Sequence, residues 1–388
     1  MTTAAPEGAA RLTASPAPLA GFTVGVTAAH RAEELSVLLR RRGAEVLHGP
    51  ALRIAPLDDD RRLELATREL VARPADVTVV TSGVGLRGWI EACETWGLGE
   101  QLVAALRSSR LLARGSKATG ALRAAGLPEA WSPPSESSDE VLQHLLARGV
   151  AGSRIAVQLH NGTLPEFRAA LRAAGADVVA VPVYRCGAPL DTGPLDRLID
   201  AAVGGEVDAV TFTSAPAAAG VLDRADGTGR GADLERALRG PVLAVSVGRV
   251  TAGPLTSRGL PTVWPERGRI GAQVRLLSEE LAGRATTLTA AGRTLQLRGS
   301  AVVLDGEVIP LHPGPVRLLR ELARQPGRVR GREELLSALG SRSGPHAVDT
   351  AVMRLRSALG DARLVQTVVK RGYRLAVDHT ARTGEEEW

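Results

Sequence analysis

Cysteine is nearly absent from this 388-residue chain, occurring only at Cys93 and Cys186. A disulfide scaffold and a cysteine-built zinc site are excluded, and a reducing cytoplasm fits. Aromatic residues make up 3%, so the core must be built from Val, Leu, Ile and Ala. Lysine occurs only at Lys117 and Lys370, which leaves arginine to carry the positive charge. No run of about 18 apolar residues is present, so no membrane span is expected. The seven His are scattered without metal-ligand spacing, so no metal is expected. No Gly-x-Gly-x-x-Gly follows a strand pattern, which leaves a dinucleotide, or any other cofactor, unsupported.

The apolar share of 44% and charged share of 23% are those of a globular protein of two or three domains. Residues 1–20, rich in Ala, Pro and Thr, are expected to be a disordered tail, and residues 378–388 an acidic one. The net charge of +6 is unevenly spread. Residues 296–376 hold fourteen Arg and Lys against seven acids. A basic C-terminal segment on a nearly neutral body suggests a nucleic-acid-binding module. An arginine-rich surface without such a partner is the alternative.

The first 285 residues repeat themselves. Gly21 to Thr27 corresponds to Gly152 to Gln158, and Asp76 to Ser82 to Asp208 to Ser214. Leu111 to Gly115 corresponds to Leu243 to Gly248. The offsets of 131 to 133 residues are too long for a solenoid and imply two similar domains. Short β-branched runs alternate with helical spacing, as in Leu35, Leu38 and Leu39. That pattern implies parallel sheets covered on both faces, with ligands beyond the carboxyl ends of the strands. Thr81-Ser82-Gly83 and Thr213-Ser214-Ala215 lie there, between strand and helix. Their hydroxyls and free amides either hold an anion or only cap the helices.

The ordered set Val26-Thr27, Thr81-Ser82-Gly83-Val84, Pro182-Val183-Tyr184, Thr213-Ser214 and Val247 to Ala252 resembles uroporphyrinogen-III synthase over roughly residues 20–282. The resemblance implies two Rossmann-like domains joined by a two-stranded linker. One would be discontinuous, residues 21–50 with 186–282. The other, with the linker strands, would be residues 51–185. It also implies closure of hydroxymethylbilane, which bears eight carboxylates, without cofactor or metal. Tyr184 and Thr251 then match catalytic positions. Thr27, Thr81, Ser82, Gly83, Lys117, Thr213, Ser214 and Gly248 match a ligand-binding cleft. A linker tyrosine that only packs is the alternative for Tyr184. Two elements depart from the family. Ala118 stands where threonine is expected in Gly115 to Thr119, and Thr27-Ala28-Ala29 lacks the usual basic residue.

Residues 283–293 read as a linker, and residues 294–377 as a separate module. Asp305-Gly306 between strand-like runs signals a hairpin. Helices are expected from about Pro313, over Arg332 to Leu339, and from about Ala347 to Gly360. In the third, Val348, Val352, Leu355 and Leu359 share an inward face. Thr350, Ala351, Arg354 and Ser357 are assigned to the outer face, small enough for a major groove, with Arg356 at its edge. A hairpin with Lys370, Arg371 and Arg374 follows. Gly327-Arg-Val, Arg332-Glu-Glu-Leu-Leu, Arg354-Leu-Arg356 and Lys370-Arg-Gly-Tyr-Arg374 resemble the OmpR/PhoB-type winged-helix domain. That resemblance implies double-stranded DNA as partner and a dimer on it. A small basic interaction domain is the alternative.

Two readings follow. The chain is a transcription regulator whose synthase-like body senses a tetrapyrrole or another polyanion, or mediates dimerisation. Alternatively, it is a working uroporphyrinogen-III synthase that also binds DNA. Fusions of this kind resemble actinobacterial regulators of nitrate and nitrite assimilation, which implies a tetrapyrrole link and a partner regulator.

Overall fold

The computed structural model describes residues 16–55, 61–160, 164–340 and 346–378, apart from the side chains of residues 54, 55, 160, 185 and 186. The expected tails up to residue 15 and from residue 379, and the loop Ser341 to Pro345, lie outside the described residues.

Two sheets, parallel apart from the edge strand β3, form the body. The first joins β1 (Thr23–Val26), β2 (Glu45–His48), β8 (Ala209–Phe212) and β9 (Leu243–Ser246) in the order β2-β1-β8-β9. The second joins β3 (Arg53–Ala55), β4 (Val77–Val80), β5 (Arg110–Ala113), β6 (Arg154–His160) and β7 (Asp177–Gly187) in the order β3-β7-β6-β4-β5. Strands β1, β8 and β9 correspond to β6, β4 and β5, at the offsets of the sequence repeat. Both lobes therefore share one strand order. Strands β1, β2, β8 and β9 build the first lobe and β4 to β7 the second, while Ala51 and Leu52 pack into the core of the first. The lobes are tied by β3 and the end of β7, which pair antiparallel with Ile54 opposite Cys186.

Side chains alternate across each sheet and fill a core on either face. Val24 and Val26 pack with Leu35, Leu39, Val274 and Leu277. Val210 and Phe212 pack on the other side with Leu198, Val221 and Leu234. In the second lobe Ile155 and Val157 meet Val141 and Phe167, while Val80 and Ala156 meet Leu86, Trp89 and Leu102. Each such leucine, fully removed from water, contributes about 2 kcal/mol. Cys93 is buried in the same cluster, and burial pushes its thiol up to about 11, which keeps it protonated. No helix among the described residues is long and apolar enough to cross a membrane.

The C-terminal module opens with an antiparallel meander of β10 (Thr286–Ala290), β11 (Arg293–Arg298), β12 (Ala301–Leu304) and β13 (Glu307–Pro310). The Asp305-Gly306 turn has both φ angles positive, 49° and 91°, as a two-residue hairpin requires. Helices Pro313–Ala323, Arg332–Leu339 and Ala347–Leu359 follow, then the hairpin of β14 (Val365–Val368) and β15 (Gly372–Leu375). Gly372 has no alternative: a Cβ there would stand 1.9 Å from the carbonyl oxygen of Arg330.

Two sequence expectations need correction. Residues 283–293 are not a linker. Helix Ile270–Arg284 ends one residue before β10, and Thr286, Leu288 and Ala290 pair with Leu297, Leu295 and Arg293. The β-branched threonines, read as a flexible polar stretch, are good strand formers. The N-terminal tail also ends earlier than expected. Leu19 is fully buried beside Phe22 and Leu35, and its amide donates to Arg42 at 2.8 Å.

The module docks on the first lobe. The Ser300 amide donates to the Gly21 carbonyl at 2.7 Å, and the Arg298 guanidinium to that of Ala17 at 3.1 Å. Arg320 donates to the Gly299 carbonyl at 2.8 Å and lies 3.7 Å from the Asp208 carboxylate. Asp208 also accepts from the Thr23 amide at 2.8 Å. A groove of about 310 Å³ stays open in this seam, lined in part by Phe22, Asp208, Arg284 and Arg320.

Candidate functional site

The lobes meet at the carboxyl ends of their strands, where helices begin in matched pairs. Helices Gly83–Thr95 and Ala215–Gly227 start after β4 and β8, and helices Ser116–Ala124 and Arg249–Thr256 after β5 and β9. Ser82 and Ser214 cap the first pair, accepting from the amides of Gly85 at 2.9 Å and Ala217 at 3.3 Å. Gly115 and Gly248 precede the second pair and offer no side-chain cap. The amides at the head of those two helices are thus left for an acceptor from outside the helix. Gly83 lets the two helices of the second lobe converge, since a Cβ there would stand 2.2 Å from the carbonyl oxygen of Lys117.

Among the described residues, contacts across the gap between lobes include these three. The Lys117 ammonium donates to the Thr213 carbonyl at 2.9 Å. Arg87 donates to His30 Nε2 at 3.3 Å. The Glu136 carboxylate would lie 3.4 Å from a Cβ placed on Gly268. Glu136 also accepts from the Ser116 amide at 3.1 Å, so it occupies the uncapped helix head after β5.

Positive charge gathers here. Lys117 is held below the usual lysine value, chiefly because protein atoms displace its water; Glu136 opposes that shift. Arg114, at the end of β5, is lowered mainly by the same loss of water, with Tyr184 and Glu136 opposing. His30 is lowered by burial first, then by Arg87, Arg31 and Lys117. Repulsion among cations and loss of water both favour the arrival of an anion.

The expected cleft residues divide. Lys117, Thr213, Ser82, Ser214, Gly83 and Gly248 stand at this junction. Tyr184 is half-buried on β7 and lies near Arg114. Thr27 and Thr81 do not offer free hydroxyls. Thr27 is fully buried and donates to the Thr211 carbonyl at 2.8 Å, and Thr81 donates to that of Gln158 at 3.0 Å. Both lie at strand ends, where the neighbouring strand offers a carbonyl. Thr251 is also buried. Sequence reasoning missed Gln158, which accepts from the amides of Thr81 and Ser82 at 3.1 and 2.9 Å and so sets that turn. It also missed Arg114 and Glu136. Arg114 directly precedes the glycine of a motif already marked, which was a usable signal. Glu136 gave none, being twenty residues away. Among the described residues no group of His, Cys, Asp or Glu could hold a metal ion.

The second candidate surface is on the C-terminal module. Val348, Val352, Leu355 and Leu359 are buried as their spacing requires, and Thr350, Arg354 and Ser357 are exposed. Ala351 is a correction. It is buried in the core, three residues after Val348 and four before Leu355, and so falls on the inward face. Met353, 63% exposed, stands on the outer face beside Arg354. Arg356 is also reassigned. Its guanidinium donates to the Val365 carbonyl at 2.6 and 2.9 Å and to the Thr367 hydroxyl at 2.8 Å. It ties the helix to the hairpin and does not reach outward. Lys370, Arg371 and Arg374 are exposed on that hairpin, with Lys370 at φ 61° in its turn.

Residues 33–275 match the family model described as uroporphyrinogen-III synthase HemD. Residues 306–375 match the C-terminal domain of transcriptional regulatory proteins. The uncharacterized protein YjjA of Bacillus subtilis is 27% identical over 257 residues, 66% of this chain and 94% of YjjA. A mutant uroporphyrinogen III synthase from Thermus thermophilus superposes with a TM-score of 0.55 at 28% identity, covering 68% of this chain and all of that one. The transcriptional regulatory protein AfsQ1 of Streptomyces coelicolor is 33% identical over 123 residues, 29% of this chain and 54% of AfsQ1.

Proposed function

This chain belongs to the uroporphyrinogen-III synthase HemD family and carries an OmpR/PhoB-type DNA-binding domain; from that premise we propose that it is a transcription regulator whose body senses a polycarboxylate of the tetrapyrrole class. One observation carries this reading. Strand β8 is four residues long and touches both sites. Its carboxyl end leads to Thr213, which receives Lys117 across the cleft, and its amino end follows Asp208, which faces Arg320 of the DNA-binding module. A ligand that parts Lys117 from Thr213 acts on a strand anchored to that module. The protein would act in the cytoplasm and bind DNA as a dimer, with or without a partner regulator. Control of nitrate and nitrite assimilation is the biological setting that the fusion suggests.

The test is DNA affinity, read by fluorescence anisotropy on a duplex selected in vitro from random sequence, with and without uroporphyrin I. A change of about tenfold supports the reading, and equal affinities refute it. The synthase alternative draws on Tyr184, half-buried beside Arg114. Turnover of hydroxymethylbilane that falls in Tyr184→Phe would favour it. No turnover by the intact protein removes it.

A further inference from the structure

The junction between the lobes holds an arrangement that a plain ligand cleft does not need. Arg114 is half-buried at the end of β5, and among the described residues no side-chain hydrogen bond or ion pair engages its guanidinium. A cation partly withdrawn from water and lacking a hydrogen-bonded partner gains by receiving an anion. Lys117, exposed along part of its side chain, is held by a neutral carbonyl, that of Thr213. Two cations therefore share one facing carboxylate, that of Glu136, whose attraction acts on both. Glu136 is bonded to the Ser116 amide, and its side-chain stem and carboxylate fill the space against Gly115. Its carboxylate also faces Gly268 of the other lobe.

We propose that Arg114 is a carboxylate-binding residue of the cleft and that Glu136 is its tethered counter-ion, seated where a ligand carboxylate would sit and displaced when one arrives. The idea rests on the polycarboxylate reading above and adds the residue that receives the anion and the group it must evict. Arginine suits the task because its planar fork can take both oxygens of a carboxylate. Displacing Glu136 also removes the carboxylate that spans from the Ser116 amide to Gly268, so ligand entry and opening of the lobes become one event. A tethered competitor lowers the apparent affinity by the fraction of time that it fills the site.

The experiment is titration calorimetry of the full chain with mellitate, a compact benzene hexacarboxylate, and separately with uroporphyrin I. Glu136→Gln keeps an acceptor for the Ser116 amide but removes the charge. It should bind mellitate about tenfold more tightly than the unaltered chain. Arg114→Gln should bind it at least tenfold more weakly. Should Arg114→Gln melt early, Arg114→Lys keeps the charge without the fork and should still bind more weakly. Equal mellitate affinity in the unaltered chain and Glu136→Gln overturns the proposal, and so does undiminished binding in either Arg114 variant. If mellitate behaves as expected but uroporphyrin I binds neither form, the proposal stands and the tetrapyrrole reading fails.

Discussion

Lys117 reaches from one lobe to the carbonyl oxygen of Thr213 in the other, at 2.9 Å. This hydrogen bond from an ammonium ion joins the two halves at the point where β8 ends. Because Lys117 is exposed, a charge-assisted bond of this kind contributes about 1 kcal/mol. Lys117→Met, which keeps the length of the side chain and removes its charge, should therefore loosen the lobes. Small-angle scattering should give a larger radius of gyration for the variant than for the unaltered chain. Identical curves would mean that Lys117 does not hold the cleft shut.

At the other end of β8, burial pushes the Asp208 carboxyl up to about 6, against an ordinary value of 3.8. The folded chain then binds this proton more tightly than the unfolded one. Asp208 accordingly costs stability as pH rises from about 4, and the cost is complete above about 6. A shift of this size is on the order of 2–3 kcal/mol. Asp208→Asn retains an acceptor for the Thr23 amide. Its melting temperature should exceed that of the unaltered chain at pH 7.5, and the gap should shrink as pH falls toward 4. A gap independent of pH would contradict this assignment.

On the DNA-binding face, Arg354 is exposed on the helix and Arg371 on the hairpin. Arg354→Ala should abolish the preference for a selected duplex over random DNA. Arg371→Ala should weaken binding to both and reduce the slope of log affinity against log salt by about 1. Unchanged binding in both variants would remove the assignment of this face.

Arg356 was expected at the edge of that face, but its guanidinium is spent on Val365 and Thr367. Arg356→Ala strips the Val365 carbonyl of this partner and frees the hairpin. The module should lose about 1–3 kcal/mol in urea denaturation. Non-specific DNA binding, read at low salt, should change little. A stability equal to that of the unaltered chain would return Arg356 to a phosphate-binding role.

The repeat offsets carried the two-lobed body, because a 131-residue period at matched Gly and Thr-Ser positions leaves few arrangements of strands. The glycines of the Asp305-Gly306 and Gly372 turns and the spacing of Val348, Val352, Leu355 and Leu359 made the module legible. The same spacing already placed Ala351 inward, and its small size argued wrongly for the outer face. The site was less legible for a physical reason. Whether a hydroxyl such as that of Thr27 or Thr81 faces a ligand or a strand carbonyl depends on the neighbouring strand, which local sequence does not specify. Glu136 meets Ser116 through a loop contact that has no periodic signature. The docking of Arg320 on Asp208 spans 112 residues and leaves no local trace.

The account rests on communication between the cleft and the DNA-binding module through β8. Its most direct measurement is the affinity of the intact protein for a selected duplex with uroporphyrin I absent and at saturation, set beside the same pair of affinities for Asp208→Asn. Coupling predicts a shift of about tenfold in the unaltered chain and a smaller one in the variant. Saturation of the cleft with no change in DNA affinity would contradict it.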